Sequence, residues 1–115
     1  MPQSIYPQPS KDLARRRKEL APEPHEAFGR FSAAVFADGA LTGKTKQLIA
    51  IAVAHVTQCP YCIEGHTKAA VRHGATPEEV MEAIWVAAEM RAGAAFAHAS
   101  LAIAAMEPAA GTASA

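Results

Sequence analysis

The stretch Gln58-Cys59-Pro60-Tyr61-Cys62-Ile63-Glu64-Gly65-His66 holds both cysteines of the chain and sets a histidine four residues beyond the second. Pro60 limits what this stretch can become. Proline suits the first position of a helix, where its missing N–H would have had no partner and its fixed φ fits the turn. A helix from Pro60 to about His73 makes Cys59 the N-cap and puts Cys62 in the first turn. Unpaired N–H groups and the helix dipole favour a thiolate there. Residues three and four apart share a helical face, so Cys59, Cys62 and His66 fall on one stripe, with the imidazole within reach of a sulfur. The pattern is that of a redox dithiol with its own base.

The rest of the chain reads as helix. Met1 to Ser10 is an arm with three prolines, expected to become ordered only against something else. Ser10 caps a helix from Lys11 to Leu20, whose run Arg15-Arg16-Arg17-Lys18 is a solvated face. Apolar residues Ala27, Phe28, Phe31, Ala34 and Val35 recur at helical spacing between Glu23 and Ala37, and Gly39 stops that segment. Thr42 caps a third helix from Gly43 to about Val56. Its run Leu48-Ile49-Ala50-Ile51-Ala52-Val53-Ala54 is apolar on all sides, so this helix is expected to be buried. Gly74 ends the cysteine helix, and Thr76-Pro77-Glu78-Glu79 is a capping signature that opens a fifth. Val80, Ile84, Ala87 and Ala88 form one face of it, and Gly93 marks its end. A sixth helix, Ala92 to Met106, precedes Pro108 and a small-residue tail over 108–115 expected to be flexible. The expected organisation is an arm over 1–10, an all-α single domain of about six helices over 11–107, and the tail.

Composition narrows the function. Half of the 115 residues are hydrophobic and many of these are alanine, which forms helices readily but contributes little apolar surface, so the core is thin and partner subunits would help. Eleven basic and eleven acidic residues cancel, which gives no overall drive towards nucleic acid or an anionic membrane. The last apolar segment is too short and too alanine-rich to span a bilayer. The first ten residues carry no apolar region of the secretory kind, so a cytoplasmic location is expected. Cysteines there are kept mostly reduced, and a pair three apart is then catalytic or metal-binding more than a structural staple.

Other uses of the pair remain open. Zinc could be held by Cys59, Cys62 and His66 with His55 or His73 as a fourth ligand, although a single helix stripe is poor geometry for a closed tetrahedral site. Haem attachment needs a histidine directly after the second cysteine, where Ile63 stands. Cys-Pro-Tyr-Cys is similar to the glutaredoxin tetrapeptide, but no strand precedes it. Purely structural cysteines are the remaining option. His25 sits near a helix start, His73 suits a helix C-terminus and His98 lies among alanines, so no catalytic role is expected of them, and Tyr61 and Glu64 suit a rim.

Residues 41–70, LTGKTKQLIAIAVAHVTQCPYCIEGHTKAA, resemble the core of the alkylhydroperoxidase D-like proteins of the carboxymuconolactone decarboxylase superfamily. Peroxidase members carry a glutamate, eleven residues, then Cys-x-x-Cys-x-x-x-His, and Cys59, Cys62 and His66 match the last three positions. The resemblance extends more loosely over about residues 25 to 106. It implies a compact helical fold that assembles into trimers or hexamers. It also implies thiol-dependent reduction of hydroperoxides without a cofactor or metal, fed by a dithiol partner that is lipoyl-carrying or thioredoxin-like. By this resemblance Cys62 is the cysteine oxidised to sulfenic acid, and Cys59 closes the disulfide and meets the reductant. Two positions depart from the pattern. The family glutamate falls on Gln47, which cannot accept a proton at neutral pH, so a relay from cysteine through histidine to a carboxylate is cut or rerouted. A histidine that some members place between the cysteines is Tyr61 here. His55, four residues before Cys59 and eight after Gln47, is the candidate to replace part of that relay. The alternatives are a lactone decarboxylase, a branch that does not depend on the cysteine pair, and a non-enzymatic dithiol switch.

Overall fold

The computed structural model describes residues 5–107, so the first four residues of the arm and the whole of the 108–115 tail lie outside the described residues. Five helices follow one another: α1 (Lys11–Leu20), α2 (Pro22–Phe36), α3 (Gly43–Thr57), α4 (Pro60–Arg72) and α5 (Pro77–Met106). No strand occurs among the described residues, so the all-α expectation holds. The helices fall into two compact units, the first ending at Asp38 and the second beginning at Gly39.

In the first unit, the Ser10 hydroxyl accepts the Leu13 N–H at 3.1 Å and starts α1. Arg15 pairs with Asp12 and Glu19, and Arg16 with Glu19, all exposed and one turn apart. Pro22 stands at the head of α2, one residue before the expected start. Phe28 and Phe31 approach with ring centroids 6.2 Å apart. Neither helix buries a residue within this chain.

The second unit holds the core. α3 packs against both α4 and α5, and it buries Gly43, Gln47, Ile51 and Ala54, positions that recur along one helical face. Ile51 is the largest fully buried side chain, and it meets Ala70 and Ala75, with Leu48, Val80 and Ile84 half-buried around it. Alanine at the contacts lets the backbones approach closely, which makes the core thin, as the composition implies.

Two expectations need correction. The expected fifth and sixth helices are one, because α5 runs unbroken through Gly93 for 30 residues. A single glycine costs a helix roughly 1 kcal/mol against alanine, and the alanines around it offset that. Within this chain α3 is also not buried on all sides. Ile49, Val53 and Val56 are each about half exposed, since α4 and α5 cover only the face that carries Gln47, Ile51 and Ala54. Despite the length of α5, no described helix is long and apolar enough to cross a membrane.

Two contacts fix the register of α3 against α5. Lys44 meets Glu79 at 2.8 Å, and Arg91 Nη1 donates to the Val56 carbonyl at 3.2 Å. Each joins residues 35 apart in sequence, so the two helices run parallel. α4 returns antiparallel to α3, with His66 opposite Gln47. Cys59 and the α3 C-terminus therefore share one end of the unit.

Candidate active site

The site begins at the turn out of α3. Gln58 takes the left-handed conformation (φ 59°, ψ 50°) that usually ends a helix on glycine. Its Nε2 donates to the His55 carbonyl at 2.6 Å. The next N–H, that of Cys59, donates to the Ala54 carbonyl at 3.2 Å. These bonds occupy carbonyls that a helix end leaves unpartnered, and they reverse the chain so that Pro60 can open α4.

Cys59 is the N-cap of α4, and its Sγ accepts the Cys62 N–H at 3.2 Å. The two cysteines are joined as a disulfide with their Cα atoms 5.3 Å apart. Both sulfurs are partly buried, at the positive end of the helix dipole.

His66 lies one turn beyond Cys62, half-buried, and its Nδ1 is 2.7 Å from Gln47 Oε1. With the amide oxygen facing the ring, Nδ1–H donates, and whenever the ring is neutral its lone pair is therefore on Nε2. Gln47 is only 7 % exposed. No buried side-chain nitrogen or oxygen among the described residues lacks a partner. The glutamine thus sits where the resemblance places a carboxylate. It fixes the ring's tautomer and direction, but it has neither charge nor proton affinity to offer.

Four of the five sequence-derived site residues fall into two pairs, the Cys59–Cys62 disulfide at the head of α4 and the His66–Gln47 hydrogen bond between α4 and α3. His55 stands apart. Its Nδ1 is turned back on the Ile51 carbonyl at 2.8 Å, and its ring lines a groove on the α5 side of α3 with Gln58, Ile84, Ala87, Ala88 and Arg91. It makes no hydrogen bond to Gln47 or His66 among the described residues.

His73 and His98 are likewise turned back on their own helices. His73 caps α4, with Nδ1 on the Ala69 carbonyl at 2.9 Å, and exposed His98 bonds the Ala94 carbonyl at 2.7 Å. Glu64 pairs with Lys68 at the surface. No group of three or more His, Cys, Asp or Glu among the described residues is arranged to hold a metal ion.

Sequence reasoning missed Arg91 and the Lys44–Glu79 tie. Thr76 and Glu79 form the expected capping box, but Lys44 also reaches Glu79 from the start of α3. That hydrogen bond, then the Thr76 N–H, holds the Glu79 carboxyl below its usual value. Both residues become meaningful only once the α3–α5 register is known.

Known proteins are similar to this chain along most of its length. The carboxymuconolactone decarboxylase family profile matches residues 22–106. Protein 4 in the cox locus of Paracoccus denitrificans is 70% identical over 82 residues, covering 71% of this chain and 74% of that protein. Among solved structures, a carboxymuconolactone decarboxylase family protein from Legionella pneumophila is 44% identical with a TM-score of 0.63, covering 69% of this chain and 70% of that one. A Thermotoga maritima protein of the same family, for which a part in the antioxidative response has been suggested, is 34% identical with a TM-score of 0.53. It covers 56% of this chain and 66% of its own.

Proposed function

The chain belongs to the carboxymuconolactone decarboxylase family, and from that premise we propose that it is a thiol-dependent hydroperoxide reductase working through Cys59, Cys62 and His66. One observation carries the reading: a Cys59–Cys62 disulfide at the head of α4, with His66 one turn on and its ring held by Gln47. The antioxidative role suggested for the Thermotoga relative agrees with it.

In the reduced protein, His66 Nε2 takes the proton of the Cys62 thiol. The thiolate attacks the terminal oxygen of the hydroperoxide, the O–O bond breaks, and the alkoxide leaves as alcohol with the proton that the imidazolium returns. Cys62 is then a sulfenic acid. The Cys59 sulfur attacks the Cys62 sulfur, the S–S bond closes, and hydroxide departs with the Cys59 proton as water. One hydroperoxide and two thiols have become one alcohol, one water and one disulfide. A lipoyl-carrying or thioredoxin-like dithiol restores the pair by exchange and is itself left as a disulfide. Gln47 orients His66 throughout but holds no proton. In this reading the protein works in a reducing cytoplasm, and a second copy of the chain covers Ile49, Val53 and Val56 in a trimer or hexamer.

Steady-state consumption of hydroperoxide with reduced lipoyl protein or thioredoxin tests this. Multiple turnovers that vanish in both Cys59→Ser and Cys62→Ser support it. A single stoichiometric oxidation with no turnover on any dithiol would instead favour a redox switch, the second reading, to which the missing carboxylate at Gln47 points.

A further inference from the structure

The groove between α3 and α5 lies outside the chemistry just described. It has a volume of about 610 Å³ and is lined by His55, Gln58, Ile84, Ala87, Ala88 and Arg91, a size usual for small-molecule sites. Its two ends differ. Ile84, Ala87 and Ala88 supply an apolar wall along α5. At the α3 C-terminus stand a guanidinium, an imidazole and a carboxamide. Among the described residues Arg91 makes one hydrogen bond, from Nη1 to the Val56 carbonyl, and no ion pair. That single bond fixes the fork at the groove and leaves most of its donors for a ligand. The groove also shares its turn with the redox pair, since Gln58 lines it and Cys59 is the next residue, with their Cα atoms about 3.8 Å apart.

We infer that this groove binds the carboxylate of an organic acid with an apolar body, and that the hydroperoxides reduced at Cys62 are those of such acids. Charge and shape select the class. One guanidinium matches one anionic charge and grips a carboxylate through two parallel N–H···O bonds. The alanine and isoleucine wall takes hydrocarbon, and His55, with Nδ1 spent on the Ile51 carbonyl, offers only Nε2 to a hydroxyl. A phosphate would ask for a second cation that the lining lacks.

The substrate half of this proposal rests on the peroxidase reading, so the test has two arms. In the first, calorimetry measures octanoate against octanamide on the reduced protein. The expected result is at least tenfold tighter binding of octanoate, a preference abolished by Arg91→Gln and partly kept by Arg91→Lys. Ala88→Phe, which fills the apolar wall and leaves Arg91 in place, should weaken both ligands. Equal affinity for octanoate and octanamide in the unmodified protein overturns the site. In the second arm, kcat/KM is compared for a fatty-acid hydroperoxide and its methyl ester. The acid-to-ester ratio should fall at least tenfold in Arg91→Gln, and an unchanged ratio overturns the substrate assignment. If no hydroperoxide turns over while the octanoate preference stands, the peroxidase reading fails and the groove does not.

Discussion

His66 Nδ1 donates to Gln47 Oε1 across 2.7 Å, and this bond joins the cysteine helix to the buried face of α3. The pair is a positioning device without a charge. An imidazole hydrogen-bonded to a carboxylate is a stronger base than one bonded to an amide, because the carboxylate stabilises the imidazolium.

Restoring the acid should therefore matter. Gln47→Glu is expected to raise peroxidase turnover by roughly 10²-fold, the low end of a general acid–base contribution. Gln47→Leu should lower it, since the ring then loses its orientation. If Gln47→Glu changes nothing while His55→Ala abolishes turnover, proton transfer runs through His55, despite its bond to the Ile51 carbonyl.

The two sulfurs compete for thiolate character. Cys59 Sγ accepts the Cys62 N–H, which helps an anion there, whereas Cys62 has the first-turn position and His66 at four residues. We expect the second combination to prevail, because a base one turn away can also remove the proton. Rates of alkylation against pH, for Cys59→Ser and Cys62→Ser, should show faster reaction at neutral pH in the variant that keeps Cys62. The reverse order makes Cys59 the attacking sulfur. His66→Ala should slow oxidation of Cys62.

Stability should depend on pH through Glu79. Lys44, then the Thr76 N–H, holds its folded pKa below the ordinary 4.5, so the folded state binds that proton less readily than the unfolded chain. The stabilisation is fully present above the unfolded value and is lost as pH falls through the lowered folded value. Melting temperatures of the unmodified protein and Glu79→Gln should differ at neutral pH and converge in acid. A gap that persists below the folded value would contradict the assignment. Thr76→Ala, which removes the hydroxyl half of the capping box, should cost about 1 kcal/mol.

The exposed strip Ile49, Val53 and Val56 on α3 is where a second copy is expected to pack. Val53→Asp would place a charge on that strip and should convert the assembled form to monomer in analytical ultracentrifugation. An unchanged sedimentation coefficient would contradict assembly through this strip.

Much of this was legible in the sequence because it is local. Ser10, Thr42, Cys59 and Thr76 all cap the helices their residue types suggested, and Pro60 and Gly74 bound α4 as expected. The placement of Cys59, Cys62 and His66 on successive turns at the head of one helix follows from helical spacing alone. Gln47 and His66 are 19 residues apart, and their pairing was inferable only through resemblance. The limits were physical. Gly93 suggested a break that the surrounding alanines override. The seven-residue apolar run in α3 could not say how much of its surface this chain covers. Arg91 gave no sequence cue, since its partner Val56 lies across a helix register that only tertiary packing sets.

The most direct test of the central claim is a single-turnover experiment on the fully reduced protein with one equivalent of organic hydroperoxide. Quenched samples are analysed for alcohol and, by mass spectrometry, for the state of each cysteine. The account predicts one alcohol formed per Cys59–Cys62 disulfide, a sulfenic acid trapped on Cys62 in Cys59→Ser, and no alcohol from Cys62→Ser. Alcohol formation that proceeds without either cysteine, or a disulfide formed without matching alcohol, would contradict it.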